Sequence, residues 1–222
     1  YHWRQVQGSA SVSLAAKPWV IDLQPRVIAS HLRRVGLNDV THEMLAPGLF
    51  RFAWPVSGQR VSIIIPSRDK SALLERCLAS LTQRTRYPDF EIIVVDTGSV
   101  ESTTQGVYAL WRDRISVAID HAQPFNYSRA CNIGARAATG NLLLFLNNDT
   151  EILEPGWLEE MARWAERPGC GAVGAKLLYP NGAIQHAGVV VGLGHLFSGA
   201  HEMYAGSYFG SPNWYRPLSA VT

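Results

Sequence analysis

A chain of 222 residues is long enough to bury a full hydrophobic core without disulfide or metal staples. Its 47% hydrophobic and 17% charged residues exclude a disordered or fibrous polypeptide, and a formal charge of +2 without a basic block argues against nucleic acid as a partner. The longest purely apolar run, Leu142 to Leu146, is five residues, far short of a membrane span.

Residues 1–24 mix Ser, Ala, Gln and Trp without clear periodicity and read as loosely structured. Val27 to Val35 places Val27, Ile28, His31, Leu32 and Val35 on one side of a short helix, with Gly36 as its stop. Leu49 to Trp54 alternates enough for an edge strand, and Pro55, Ser57 and Gly58 break it. A boundary is expected near residue 58, with residues 1–58 a linker or extension and residues 59–222 the main domain.

From residue 61 the pattern becomes strand, helix, strand. Val61 to Ile65 is a β-branched run closed by Pro66, as a buried parallel strand would be. Leu73, Leu74, Cys77, Leu78 and Leu81 recur at helical spacing, with Asp69 the candidate N-cap. Strands follow at 92–95, 115–119 and 142–146, separated by helices over 101–112 and 127–138, the latter stopped by Gly140. Pro155 opens a further helix to about Ala165. This alternation implies an α/β fold, a mostly parallel sheet with helices on both faces. The tail is different: nine of the 19 glycines lie between Gly171 and Gly210, which suits an irregular, loop-rich layer. The chain starts at Tyr1 without a secretory leader, and Leu218 to Thr222 reads like the opening of a buried strand, so a piece of a longer protein is expected.

Cys77, Cys131 and Cys170 form no CxxC pair and read as small hydrophobes in a reducing compartment, which points to the cytoplasm. The glycosylation triplets at Asn126 and Asn148 carry little weight.

Ligands of an open parallel sheet bind beyond the carboxyl ends of its strands. Pro66, Ser67, Arg68 and Asp69 follow the first strand; Asp96, Thr97, Gly98 and Ser99 the second; Asn147, Asn148, Asp149 and Thr150 the fourth. Asp69 alone would read as a cap. Asp96 and Asp149 end strongly apolar strands, where a carboxylate needs a cation, a hydroxyl or amide donors to stay ionised.

The blocks Val61-Ser-Ile-Ile-Ile-Pro-Ser-Arg-Asp69, Glu91-Ile-Ile-Val-Val-Asp-Thr-Gly-Ser99 and Leu144-Phe-Leu-Asn-Asn-Asp-Thr150 resemble those of family 2 glycosyltransferases, inverting enzymes of the GT-A fold that use nucleotide-sugar donors. Phe125 to Gly134 and Gly171 to Gly188 are similar to the rhamnosyltransferase-like bacterial members that build surface polysaccharides. The likeness covers about residues 59–222. It implies a GT-A (Rossmann-like, nucleotide-diphospho-sugar transferase) fold, here expected to be incomplete at the C-terminus.

By position, the resemblance puts Pro66, Ser67, Arg68 and Asp69 beside the nucleotide, Asp96 on the base or ribose, and Gly98 and Ser99 around that pocket. Arg129 and Asn132 would meet the nucleotide-sugar. Asn147, Asn148 and Asp149 take the Asp-x-Asp position, with Asp149 the ligand for Mg²⁺ or Mn²⁺ on the diphosphate. A hard cation there stabilises charge developing on the leaving oxygen, and Mg²⁺ needs only one or two protein carboxylates. Asn147 is neutral where the family has Asp, which weakens metal attraction before nucleotide arrives. The general base is expected beyond Thr222, and the acceptor, a glycan or lipid-linked glycan, is expected to be met partly by segments outside this chain, which can also supply membrane association. His186, His195 and His201 read as loop histidines before metal ligands, and Lys176 as an exposed strand-end lysine. Tyr204, Tyr208, Phe209, Trp214 and Tyr215 could stack on sugars or cover exposed core. A dehydrogenase fails because no G-x-G-x-x-G follows the first strand; a nucleotidyltransferase is closer in architecture and is kept as a secondary alternative, although the Gly-rich basic loop it would usually show there is missing. A non-catalytic nucleotide-sugar-binding or scaffolding module stays open as the alternative.

Overall fold

The computed structural model describes residues 18–191 and 197–199, and these fall into two compact units divided between Pro55 and Val56.

The first unit is a helix and a hairpin. Helix α1 (Trp19–Arg34) starts well before the expected Val27, with Pro25 inside it. Proline removes one intrahelical donor and reads as a breaker in sequence, but here the helix continues through it and packs on the hairpin. Gly36, at φ +79°, ends it: Leu37 N–H donates to the Leu32 carbonyl and Gly36 N–H to that of Arg33, the paired bonds of a Schellman cap. Strand β1 (Thr41–Ala46), a run of mostly helix-favouring residues that the sequence does not announce, pairs antiparallel with β2 (Leu49–Ala53) across Pro47-Gly48. His42 Nε2 meets the Pro25 carbonyl at 3.1 Å and Gly48 N–H donates to Gln24 Oε1 at 2.9 Å, so this hairpin is tied to α1.

The second unit alternates β3 (Val61–Ser67), α2 (Ser71–Arg84), β4 (Phe90–Asp96), α3 (Ser102–Trp111), β5 (Ile115–Ile119), α4 (Tyr127–Ala137), β6 (Leu142–Phe145) and α5 (Trp157–Ala165). The four strands are parallel in the order β5-β4-β3-β6, the α/β arrangement expected. Period-two alternation sorts the side chains. Val61, Ile63, Ile65, Ile92 and Val94 join Leu74, Leu78 and Leu81 of α2, Val107 of α3 and Leu158 of α5 in one core. Ile64, Ile93 and Val95 face the other way, onto Ala130 of α4. Helix α4 lies close on that face because Gly134 has no side chain: a Cβ there would collide with Ile64 and Val95.

Glu91 organises the amino-terminal edge of the sheet. Ser62 Oγ donates to its carboxylate at 2.6 Å, Thr139 N–H at 2.7 Å and Thr139 Oγ1 at 2.8 Å, with Arg60 alongside. Burial opposes its ionisation, yet these donors outweigh burial and bring the carboxyl down to about 2.

The expected irregular tail holds short antiparallel strands where described: β7 (Leu177–Leu178) pairs with β8 (Ile184–His186), and β9 (Val189–Val191) with β10 (Phe197–Gly199). A glycine-rich composition lowers strand propensity, but Gly182, at φ +81°, permits the tight turn between β7 and β8. The expected strand at Leu218 to Thr222 lies outside the described residues. No helix among the described residues is long and apolar enough to cross a membrane.

Candidate functional site

Strand β3 lies between β4 and β6, so the chain order reverses beside it, and its carboxyl end is the position at which open α/β sheets bind ligands. Pro66 and Ser67 belong to the strand rather than closing it, in register with Val95 and Asp96. Ser67 is buried. Its carbonyl accepts from Thr97 N–H and Thr97 Oγ1, and its hydroxyl accepts from Asn148 Nδ2 at 2.9 Å. One serine thus links the ends of β3, β4 and β6.

Asp69 does not cap α2. Lys70 occupies the N-cap position, without a side-chain bond, and both residues take left-handed backbone angles (φ 51° and 54°). The reversed backbone turns the Asp69 carboxylate toward the loop after β4, where Oδ1 accepts from Val100 N–H and Glu101 N–H, each at 2.9 Å. Its own N–H donates to Ser99 Oγ at 2.9 Å. The Glu101 and Val100 amides and the neighbouring Arg68 and Lys70 hold the Asp69 carboxyl below its ordinary value against its desolvation. Arg68 itself is exposed.

Asp96 is buried at the end of β4, and amide donors are what keep it there: Oδ1 accepts from Gly98 N–H at 3.0 Å and Ser99 N–H at 2.7 Å. This turn needs Gly98, whose φ is +102°. The second oxygens of Asp69 and Asp96 make no hydrogen bond among the described residues. Burial raises the pKa of Tyr108 on α3, and the Asp96 and Asp69 carboxylates push it the same way.

The third strand end holds a residue the sequence reading missed. Asp120 follows β5, its side chain 2% exposed, and its N–H donates to the Asp96 carbonyl at 2.8 Å. Arg129 Nε donates to both Asp120 oxygens, at 3.0 and 3.1 Å, while Nη2 reaches the carbonyls of Ala122 at 2.6 Å and Pro124 at 3.1 Å. Arg129 therefore fastens the 120–126 loop, with these donors directed to protein partners. Applying the strand-end rule to β5 as to the other strands would have found Asp120. Asn126 caps α4 through Arg129 N–H, and Asn132 is exposed on the same helix.

After β6, Asn147 and Asp149 are exposed, and Asn148 is partly buried against Ser67. With its nitrogen tied to Ser67, the Asn148 oxygen has no partner among the described residues. That oxygen and the Asp149 carboxylate are the hard donors Mg²⁺ and Mn²⁺ prefer, so the donor set fits such an ion when a diphosphate supplies further oxygens. No group of three or more His, Cys, Asp or Glu side chains assembles among the described residues. Cys77 lies beneath this end with Sγ 3.8 Å from the Asn147 carbonyl; burial, then Asp149, pushes its thiol up to about 12, which removes it as a ligand or nucleophile. Cys131 is also buried, whereas Cys170 is partly exposed. His186 sits on β8 and Lys176 is exposed just before β7; His195, His201 and the aromatic residues 204–215 lie outside the described residues.

The chain matches the model of Glycosyl transferase family 2 over residues 62–193. It is 40% identical over its full length to the O-antigen biosynthesis protein RfbC of Myxococcus xanthus, covering 18% of that protein. It is 41% identical over 95% of its length to protein y4gI of Sinorhizobium fredii, covering 24% of it. The chain thus spans a quarter or less of the length of these relatives. Among solved structures, the mannosyltransferase PcManGT of Pyrobaculum calidifontis, in complex with GDP-Man and Mn²⁺, aligns with a TM-score of 0.49 and 23% identity over 55% of this chain and 36% of its own. The match over residues 62–193, more than half of the chain, makes this chain a member of glycosyl transferase family 2.

Proposed function

We propose that the chain carries the donor half of an inverting, metal-dependent glycosyltransferase, which moves a sugar from a nucleotide-diphospho-sugar to a glycan or lipid-linked glycan acceptor. The observation that carries this reading is the convergence at the β3 switch point of Ser67, Asp69, Asp96 and Asn148, with Asp149 beside them. Asp96 offers an acceptor oxygen and the Gly98-Ser99 turn a close backbone approach, which suits a base and ribose. Asp149 and Asn148 would hold Mg²⁺ or Mn²⁺, which when bound neutralises charge on the leaving diphosphate. Pro66, Ser67, Arg68 and Asn132 complete the proposed pocket. The name of the Myxococcus relative supports a role in surface polysaccharide synthesis, and the free cysteines support the cytoplasm, where nucleotide-sugars are supplied.

Calorimetric titration with UDP, GDP and dTDP, each with and without Mn²⁺, tests the reading. Base-selective binding that metal strengthens and Asp149→Ala weakens by about tenfold is the expected result; no binding under any condition would remove it. The neutral Asn147 favours a second reading, a nucleotide-sugar-binding module without turnover. Sugar transfer by the full-length protein, lost in Asp149→Ala, decides between the two.

A further inference from the structure

The 120–126 loop delivers one more side chain to the Gly98 turn. A Cβ built on Gly98 has Gln123 Nε2 as its nearest outside neighbour, at 3.9 Å, so the Gln123 carboxamide rests over the same turn whose amides hold Asp96. That placement is not left to a floppy loop. The Asp120 N–H is bonded to the Asp96 carbonyl, and the Arg129 guanidinium grips Asp120 at one end of the segment and the Ala122 and Pro124 carbonyls on both sides of Gln123. Gln123 is exposed and its amide makes no hydrogen bond with the described residues, so it is free to meet a ligand.

We propose that Gln123 is a specificity-determining residue of the donor site, its carboxamide reading the edge of the nucleobase beside Asp96. The inference rests on the donor reading above. Its chemistry narrows the base. The unbonded Asp96 oxygen accepts from a ring N–H, and the Gln123 amide donates to an adjoining ring carbonyl. Uracil, thymine and guanine present that pair of groups at neutral pH; cytosine and adenine, lacking the ring N–H on that edge, do not.

The test is calorimetric titration of the chain with UDP, dTDP, GDP, CDP and ADP, and with inorganic pyrophosphate, in the presence of Mn²⁺. Wild type is expected to favour one of the first three over CDP and ADP. Gln123→Glu replaces a donor by an acceptor and should weaken the favoured nucleotide by about tenfold, leaving CDP, ADP and pyrophosphate unchanged. Gln123→Ala should narrow the same gap by a smaller factor. An unchanged gap between the favoured nucleotide and CDP or ADP in both variants would overturn the inference while leaving the donor reading intact. An equal loss for every ligand, pyrophosphate included, would overturn it as well, because the defect would not lie at the base. Absence of nucleotide binding by wild type would remove the donor reading and this inference together.

Discussion

Glu91 is an ionised group whose value to the fold can be measured by pH. Its side chain is 18% exposed and is met by two hydroxyls, an amide and a guanidinium. With a folded pKa of about 2 against an ordinary value of 4.5, its stabilisation is fully present above pH 4.5 and is lost as pH falls toward 2. Glu91→Gln should therefore lower stability by about 1–3 kcal/mol at pH 7, and urea melts should show the gap to wild type closing below pH 4. Arg129 has a different role. It is 34% exposed, but its Asp120 partner is not, so Arg129→Ala would leave a buried carboxylate without its cation. A loss of about 3 kcal/mol in urea melts is expected, with Arg129→Lys recovering only part of it because an ammonium lacks the planar fork.

Two glycines set how elements close and dock. Gly36 ends α1 at a positive φ in open space, so Gly36→Ala meets no neighbour and carries only backbone strain. It should destabilise by about 1 kcal/mol, read from a thermal melt. Gly134 is the opposite case: its backbone is helical, and any Cβ enters Ile64 and Val95. Gly134→Ala should cost about 1–3 kcal/mol despite alanine's better helix propensity, because α4 must lift from β3 and β4. That displacement would also move Arg129 and the loop it holds.

For the whole molecule, occupancy of the proposed donor site should appear as stability. Nucleoside diphosphate with Mn²⁺ at 100 times its dissociation constant should stabilise the chain by about 2.7 kcal/mol, raising the thermal midpoint in wild type and much less in Asp149→Ala. Much of the architecture was legible beforehand, because the buried strands are short β-branched runs and the helices between them recur at helical spacing. Ile115–Ile119 has the bounds expected, and α3 and α4 each fall within a residue. The aspartates after β3 and β4 were legible as chain positions, because an apolar strand ending in a carboxylate needs a reason. Their bonding was not. Asp69 reads as a cap for α2, and only a left-handed backbone turns it to α3's approach; β1 has a helical composition, and only its pairing with β2 makes it a strand. Local pattern thus determined which segments are strands and helices in the parallel sheet and which residues end its strands. Tertiary structure alone decided that Arg129 grips Asp120, that Ser67 ties Asn148 to Thr97, and that Gln123 lies over Gly98, since those contacts join positions whose meeting depends on strand order and packing.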